Sequence, residues 1–160
     1  MIGTPPSTDP PSTDPTSIDG WHRLDQRLTS SGQPSEADLR LIAGLGVRHI
    51  INLGLPSHPR ALPDEAASVA ALRLAYTAIT VEFSQPTEED FAKFCALMTA
   101  CAGATIHIHC IANYRVSAFI YRYRREILHW PAAQARPDLL HLWQPNPVWA
   151  AFIGFEPTES

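Results

Sequence analysis

The chain has little of several things that would fix its class at once. Its 160 residues include 12 Lys and Arg against 16 Asp and Glu, a formal net charge of -4. With no basic excess to displace counterions from a phosphate backbone, nucleic-acid binding is excluded as its main task. No apolar run approaches the roughly 18 residues that a membrane span requires, and no membrane partner is expected. The start, Met1-Ile2-Gly3-Thr4-Pro5-Pro6, has neither the basic nor the apolar stretch of a secretory signal. Cysteine is scarce: three residues, without paired spacing, argue against a disulfide framework and for a reducing, cytoplasmic location. Hydrophobic residues, by contrast, make up 45% of the chain, enough to fill the core of one domain of this length.

Pro5-Pro6-Ser7-Thr8-Asp9-Pro10 is nearly repeated by Pro11-Ser12-Thr13-Asp14-Pro15, and such a tract has almost nothing to bury. Residues 1–18 are therefore expected to be a disordered tail, and 19–156 the domain. Trp21 to Thr29 supplies one or two short strands. Ser35 and Asp38 form a capping box for a helix that runs through Leu39, Leu41, Ile42 and Leu45 until Gly46 stops it. Val47–Leu53 reads as a strand, and Pro63–Leu72 as a helix with Asp64 and Glu65 in its first turn. Leu74–Phe83 is a second strand, after which Thr87 and Asp90 make another capping box. Phe91, Phe94, Cys95 and Met98 then lie on one helical face. Thr105–Cys110 is a third strand, followed by a long helix through Val116, Phe119, Ile120, Tyr123 and Ile127. Short helices are expected at Leu139–Trp143 and Pro147–Ile153, with Asn146 and Pro147 as cap and first-turn proline. Strands alternating with helices predict a single α/β domain with a central, mostly parallel sheet flanked by helices.

The chemistry concentrates in Ile106-His107-Ile108-His109-Cys110-Ile111-Ala112-Asn113-Tyr114-Arg115-Val116-Ser117. An apolar strand ends at a cysteine, a tight loop follows, and an arginine opens a helix. In open α/β sheets, ligands bind beyond the carboxyl ends of strands, where this order puts Cys110. Loop amides and a helix N-terminus favour an anion there, and the same field should hold Cys110 as the reactive thiolate. Arg115 adds a planar fork that grips two phosphate oxygens at once. The competing reading is that a lone cysteine at a strand end is a small buried hydrophobe, as Cys95 and Cys101 are taken to be. His107 and His109 share a strand face beside Cys110, but no fourth ligand stands at a metal-site spacing, and a metal on the thiol would block its use. Tyr121-Arg122-Tyr123-Arg124-Arg125 spreads around a helix and reads as a solvated face.

His109-Cys110 followed by Arg115 resembles the loop of the cysteine-dependent protein tyrosine phosphatases. The four intervening residues are similar to the nonclassical, eukaryotic-like bacterial (dual-specificity-like) branch with a C-x4-R loop, and to the phosphatase domain of β-lactamase-hydrolase-like proteins. The likeness extends to Ser31-Gly32-Gln33-Pro34-Ser35, Val47-Arg48-His49-Ile50-Ile51-Asn52-Leu53, Pro86-Thr87, Arg115-Val116-Ser117-Ala118-Phe119 and Trp143-Gln144-Pro145-Asn146-Pro147-Val148-Trp149. The resemblance implies a cysteine-phosphatase-like fold and a cofactor-free, two-step reaction on phosphotyrosine or related phosphomonoesters, carried by a protein or a small molecule. Cys110 would attack phosphorus, while Arg115 and the amides of Ile111, Ala112, Asn113, Tyr114 and Arg115 hold the oxygens. His109 would tune the thiol.

The likeness also has gaps. The loop lacks the usual glycine, so Asn113 is expected to take the left-handed conformation. The hydroxyl that relatives place directly after the arginine is displaced by one, to Ser117. For the general acid, Glu82 is the only carboxylate in Val81-Glu82-Phe83-Ser84-Gln85-Pro86, the stretch matching the relatives' acid loop. Two other readings remain open at this stage: a catalytically idle phosphate-binding module, and a rhodanese-type sulfurtransferase, which also sets a cysteine at a strand end.

Overall fold

The computed structural model describes residues 14–156. In chain order the elements are β1 (His22–Arg23), β2 (Leu28–Ser31), α1 (Glu36–Ala43), β3 (His49–Asn52), α2 (Glu65–Ala71) and β4 (Ala75–Ala78). They continue with α3 (Glu88–Ala100), β5 (Ile106–His109), α4 (Tyr114–Glu126), α5 (Ala132–Leu140) and α6 (Pro147–Ile153). The five strands form one sheet in the order β1-β2-β5-β3-β4, parallel except for the antiparallel β1 edge. Because strand side chains alternate, Ile51 and Ile108 face a core built with Phe94, Phe119 and Trp149 from α3, α4 and α6. Ile50 faces the other way, onto Leu39, Ile42 and Val69 of α1 and α2. Helices thus cover both faces, as a largely parallel sheet requires.

Local chemistry explains most boundaries. Ser35 Oγ accepts from Asp38 N at 3.0 Å and Ser35 N donates to Asp38 Oδ2 at 2.9 Å, the full capping box. Thr87 makes only half of one, accepting from Asp90 N. Asn146 caps α6, with Pro147 opening it.

Several expected bounds move. α1 stops at Ala43 with Gly44 as its cap, and the chain turns to Gly46 at φ 88°. Asp64 does not lie in the first turn of α2 but caps it, accepting from Ala67 N. The strand expected to reach Phe83 ends at Ala78, because the chain beyond follows β3 only loosely and turns back at Glu82–Gln85. The helix expected at Leu139–Trp143 lies earlier, at Ala132–Leu140, and tolerates Pro137 because Ala135 and Leu139 bury one face.

Of the expected tail, residues 1–13 lie outside the described residues. Asp14 pairs with Arg23 at 2.6 Å and Ile18 is buried, so the packed part of the chain begins earlier than residue 19. Among the described residues, no helix is long and apolar enough to cross a membrane.

Candidate active site

Register aligns Ser31 of β2, His109 of β5 and Asn52 of β3 at the carboxyl ends of the inner strands. The loop after β5 therefore leaves the sheet between the loops that follow β2 and β3. Cys110 opens that loop and α4 begins at Tyr114. Asn113 is left-handed at φ 69°, as expected of the residue standing in for glycine. Its side-chain amide fixes that turn by donating to Gly20 O at 2.8 Å and Ser30 Oγ at 2.9 Å.

Two features of this loop point to an anion. Among the described residues, the amides of residues 111–116 donate no hydrogen bond within the protein; the first to do so is Ser117 N, to Asn113 O. A tight loop running into a helix N-terminus gathers such N–H groups at one point. The second feature is Arg115, only 7% exposed and without a carboxylate partner among the described residues. Its Nη1 donates to Val81 O at 2.8 Å and its guanidinium lies 5.7 Å from the Phe83 ring centroid. A buried cation with no counter-ion is costly unless a ligand supplies the charge.

Cys110, Ile111, Ala112, Tyr114 and Arg115 line a cavity of about 330 Å³ whose remaining walls are Phe83 and His58. Tyr114 stacks on Trp143 with centroids 4.5 Å apart and planes at 3°. Trp149 Nε1 donates to Phe83 O at 2.7 Å, so the two C-terminal tryptophans brace the aromatic wall.

Similarity to solved structures accords with this geometry. A DUF442 protein from Shewanella putrefaciens CN-32, a candidate phosphatase, is 32% identical, with 87% of this chain and 91% of that chain covered at a TM-score of 0.76. This chain belongs to the DUF442 family of phosphatase-like proteins. At lower identity the fold alone is shared. TpbA of P. aeruginosa is 16% identical, with 89% of this chain and 87% of that chain covered and a TM-score of 0.69. The catalytic domain of SIW14, a PP-IP phosphatase of S. cerevisiae, is 14% identical, with coverages of 86% and 85% and a TM-score of 0.71. No family profile and no curated protein matches the chain.

In this DUF442 chain the support beneath the cysteine is a buried polar chain that sequence reading missed. His109 is fully buried; its Nδ1 lies 3.1 Å from Cys110 O and its Nε2 2.5 Å from Glu65 Oε2. Gln33 Nε2 donates to Glu65 Oε1 at 3.0 Å, and Gln33 N donates to Ile111 O at 3.1 Å. A carbonyl only accepts, so His109 Nδ1 is the donor to Cys110 O. Gly32 permits this approach: a Cβ there would stand 2.4 Å from Ile111 O. The Ser31–Ser35 segment is therefore a clamp on the loop after β5.

His107 is also fully buried, its nitrogens 2.8 Å from Thr29 Oγ1 and Ser31 Oγ. Burial, reinforced by the neighbouring His109, holds its titration well below the usual histidine range.

Two expected site residues are not brought to the thiol. Ser117 Oγ donates to Tyr114 O at 3.0 Å and accepts from Trp143 Nε1 at 3.1 Å, making no hydrogen bond to Cys110. Glu82 is exposed on the turn and does not line the cavity.

Cys95 and Cys101 are half-buried beside the core, and burial raises both thiols. The basic run on α4 is not a patch: Arg122 pairs with Glu88 and Glu126, and Arg124 with Asp138.

Proposed function

We propose that this chain hydrolyses phosphotyrosine and related aryl phosphomonoesters through a cysteinyl-phosphate. The observation that carries the reading is the buried Arg115 beside Cys110, without a carboxylate partner among the described residues, at the end of a loop whose amides find no acceptor among those residues. The Cys110 thiolate attacks phosphorus and forms the S–P bond as the ester P–O bond breaks, its electron pair leaving with the oxygen. Arg115 and the amides of residues 111–115 hold the three equatorial oxygens, whose charge they stabilise without a metal. Water then cleaves the S–P bond, releasing inorganic phosphate and restoring the thiolate. Phe83 and Tyr114 offer flat apolar walls to an aromatic leaving group, which favours aryl over alkyl esters. Solved relatives of this fold include TpbA bound to pTyr and PTPMT1 bound to PI(5)P. A phosphoprotein or small phosphoester is accordingly the substrate class.

The test is turnover of p-nitrophenyl phosphate and of a phosphotyrosyl peptide. Cys110→Ser should abolish it. Arg115→Lys should lower kcat/KM by about 100-fold or more, since a point charge cannot replace the fork. Wild-type protein that binds vanadate but never turns over would leave only an idle binding module. Thiocyanate production from thiosulfate and cyanide, without phosphatase activity, would indicate sulfur transfer instead.

A further inference from the structure

A cavity that splits an ester must stabilise the oxygen that departs, and the carboxylate expected to do so is not there. Among the described residues lining the cavity there is no Asp or Glu; the side chains with N–H or O–H donors are Arg115, Tyr114 and His58. Arg115 is committed to the equatorial oxygens and to Val81 O. Tyr114 lies flat against Trp143. His58 stands on the loop between β3 and α2, half-buried and held at both ends: its N–H donates to Leu55 O at 3.1 Å and its carbonyl accepts from Ala61 N at 2.9 Å. The same loop is tied down by the pair between Arg60 and Asp19, 2.6 Å apart.

The ring of His58 has a defined tautomer. Arg60 N donates to its Nδ1 at 3.0 Å, so Nδ1 is the acceptor and the ring proton sits on Nε2. Nε2–H is then the nitrogen left for a ligand in the cavity. We propose that His58 is the further catalytic residue of this site, donating a hydrogen bond from Nε2 to the ester oxygen as it leaves. The inference rests on the phosphatase reading above. As the P–O bond breaks, its electron pair stays on oxygen, and the His58 N–H stabilises the growing negative charge without giving up its proton. The departing aryloxide or alkoxide is protonated by solvent after release. Such a donor matters most where the leaving group is a poor one, because more charge then needs stabilising.

That dependence is what the experiment reads. kcat/KM is measured for a series of aryl phosphates from 2,4-dinitrophenyl to phenyl, with wild type, His58→Ala, His58→Gln, Tyr114→Phe and Glu82→Gln. Thermal stability and vanadate affinity control for folding and for the phosphate cradle. His58→Ala should lose about 100-fold on phenyl phosphate, the scale of one oxyanion donor, and only about 3-fold on the dinitrophenyl ester. His58→Gln, which keeps an N–H near the same position, should recover part of the loss. A uniform loss across the series, or a steeper leaving-group dependence in Glu82→Gln or Tyr114→Phe, overturns the role of His58. Failure of the phosphatase reading looks different: wild type is then inactive on every ester, or Cys110→Ser is as active as wild type.

Discussion

Glu65 is the residue whose removal most directly tests the account of the cysteine's support. Its carboxylate is 5% exposed and bridges His109, itself fully buried, and Gln33. In Glu65→Ala the buried His109 Nε2 loses its partner, while Gln33 keeps a bond to Pro34 O at 2.9 Å. Breaking a buried ion pair from one side costs about 3–5 kcal/mol. For a domain of this size that lowers Tm by about 10–15 °C. Glu65→Gln is a different perturbation: its amide oxygen can accept from Gln33 and its NH2 can donate to His109 Nε2. That requires only the Nδ1–H tautomer, which the Cys110 carbonyl already selects. The Gln variant should therefore stay within about 1 kcal/mol of wild type. Urea denaturation at neutral pH measures both. Glu65→Ala within 1 kcal/mol of wild type, as judged against that estimate, would refute the reasoning, as would a Gln variant that is no better than Ala.

Other outcomes follow from the same geometry. Gly32→Ala should destabilise by about 1–3 kcal/mol and weaken vanadate binding, because the new Cβ meets the Ile111 carbonyl rather than a movable side chain; an unchanged vanadate Kd would remove the clamp from the argument. Asn113→Gly loses two hydrogen bonds but keeps the left-handed turn, whereas Asn113→Ala loses both and adds about 1–2 kcal/mol of backbone strain, so urea midpoints should rank wild type, Gly, Ala. His107 should stay neutral in the folded protein while an unfolded histidine protonates below about pH 6.5. Its contribution to stability is thus fully present above that value and declines as pH falls, by up to about 1.4 kcal/mol per unit until the folded ring itself titrates. NMR of the folded protein checks this: a His107 ring shift that moves with a midpoint near 6.5 would contradict the burial argument.

Much of the site was readable in residue order because its parts are local. Cys110, the loop and Arg115 fall within six consecutive residues of one strand–loop–helix unit. The left-handed Asn113 was accessible for the same reason: a tight loop without glycine needs a residue that tolerates positive φ. The dependence of His109 on Glu65 was not accessible. In sequence Glu65 looks like one more acid in the first turn of a helix, where the dipole is reason enough for it. Nothing local distinguishes it from Asp64, which in fact caps the helix and stays exposed. Ser117 is the opposite case: whether it reaches the thiol was open in sequence, and in the fold its hydroxyl bonds Trp143 and the Tyr114 carbonyl. The helix through Pro137 was missed because local propensity penalises it and packing overrides the penalty.

Residue order alone determined the α/β alternation, the caps, and the placing of Cys110 and Arg115 at the two ends of one short loop, since each follows from periodicity or from short-range geometry. Only the folded arrangement decided what surrounds them. Parallel strands brought β2 and β3 to either side of β5, so that Gly32, Gln33, Glu65 and His58, 45 to 78 residues before Cys110, meet its loop. The physical reason is that hydrogen bonds and close packing act over a few ångströms of space, and separation along a chain carries no record of that distance until the sheet has formed.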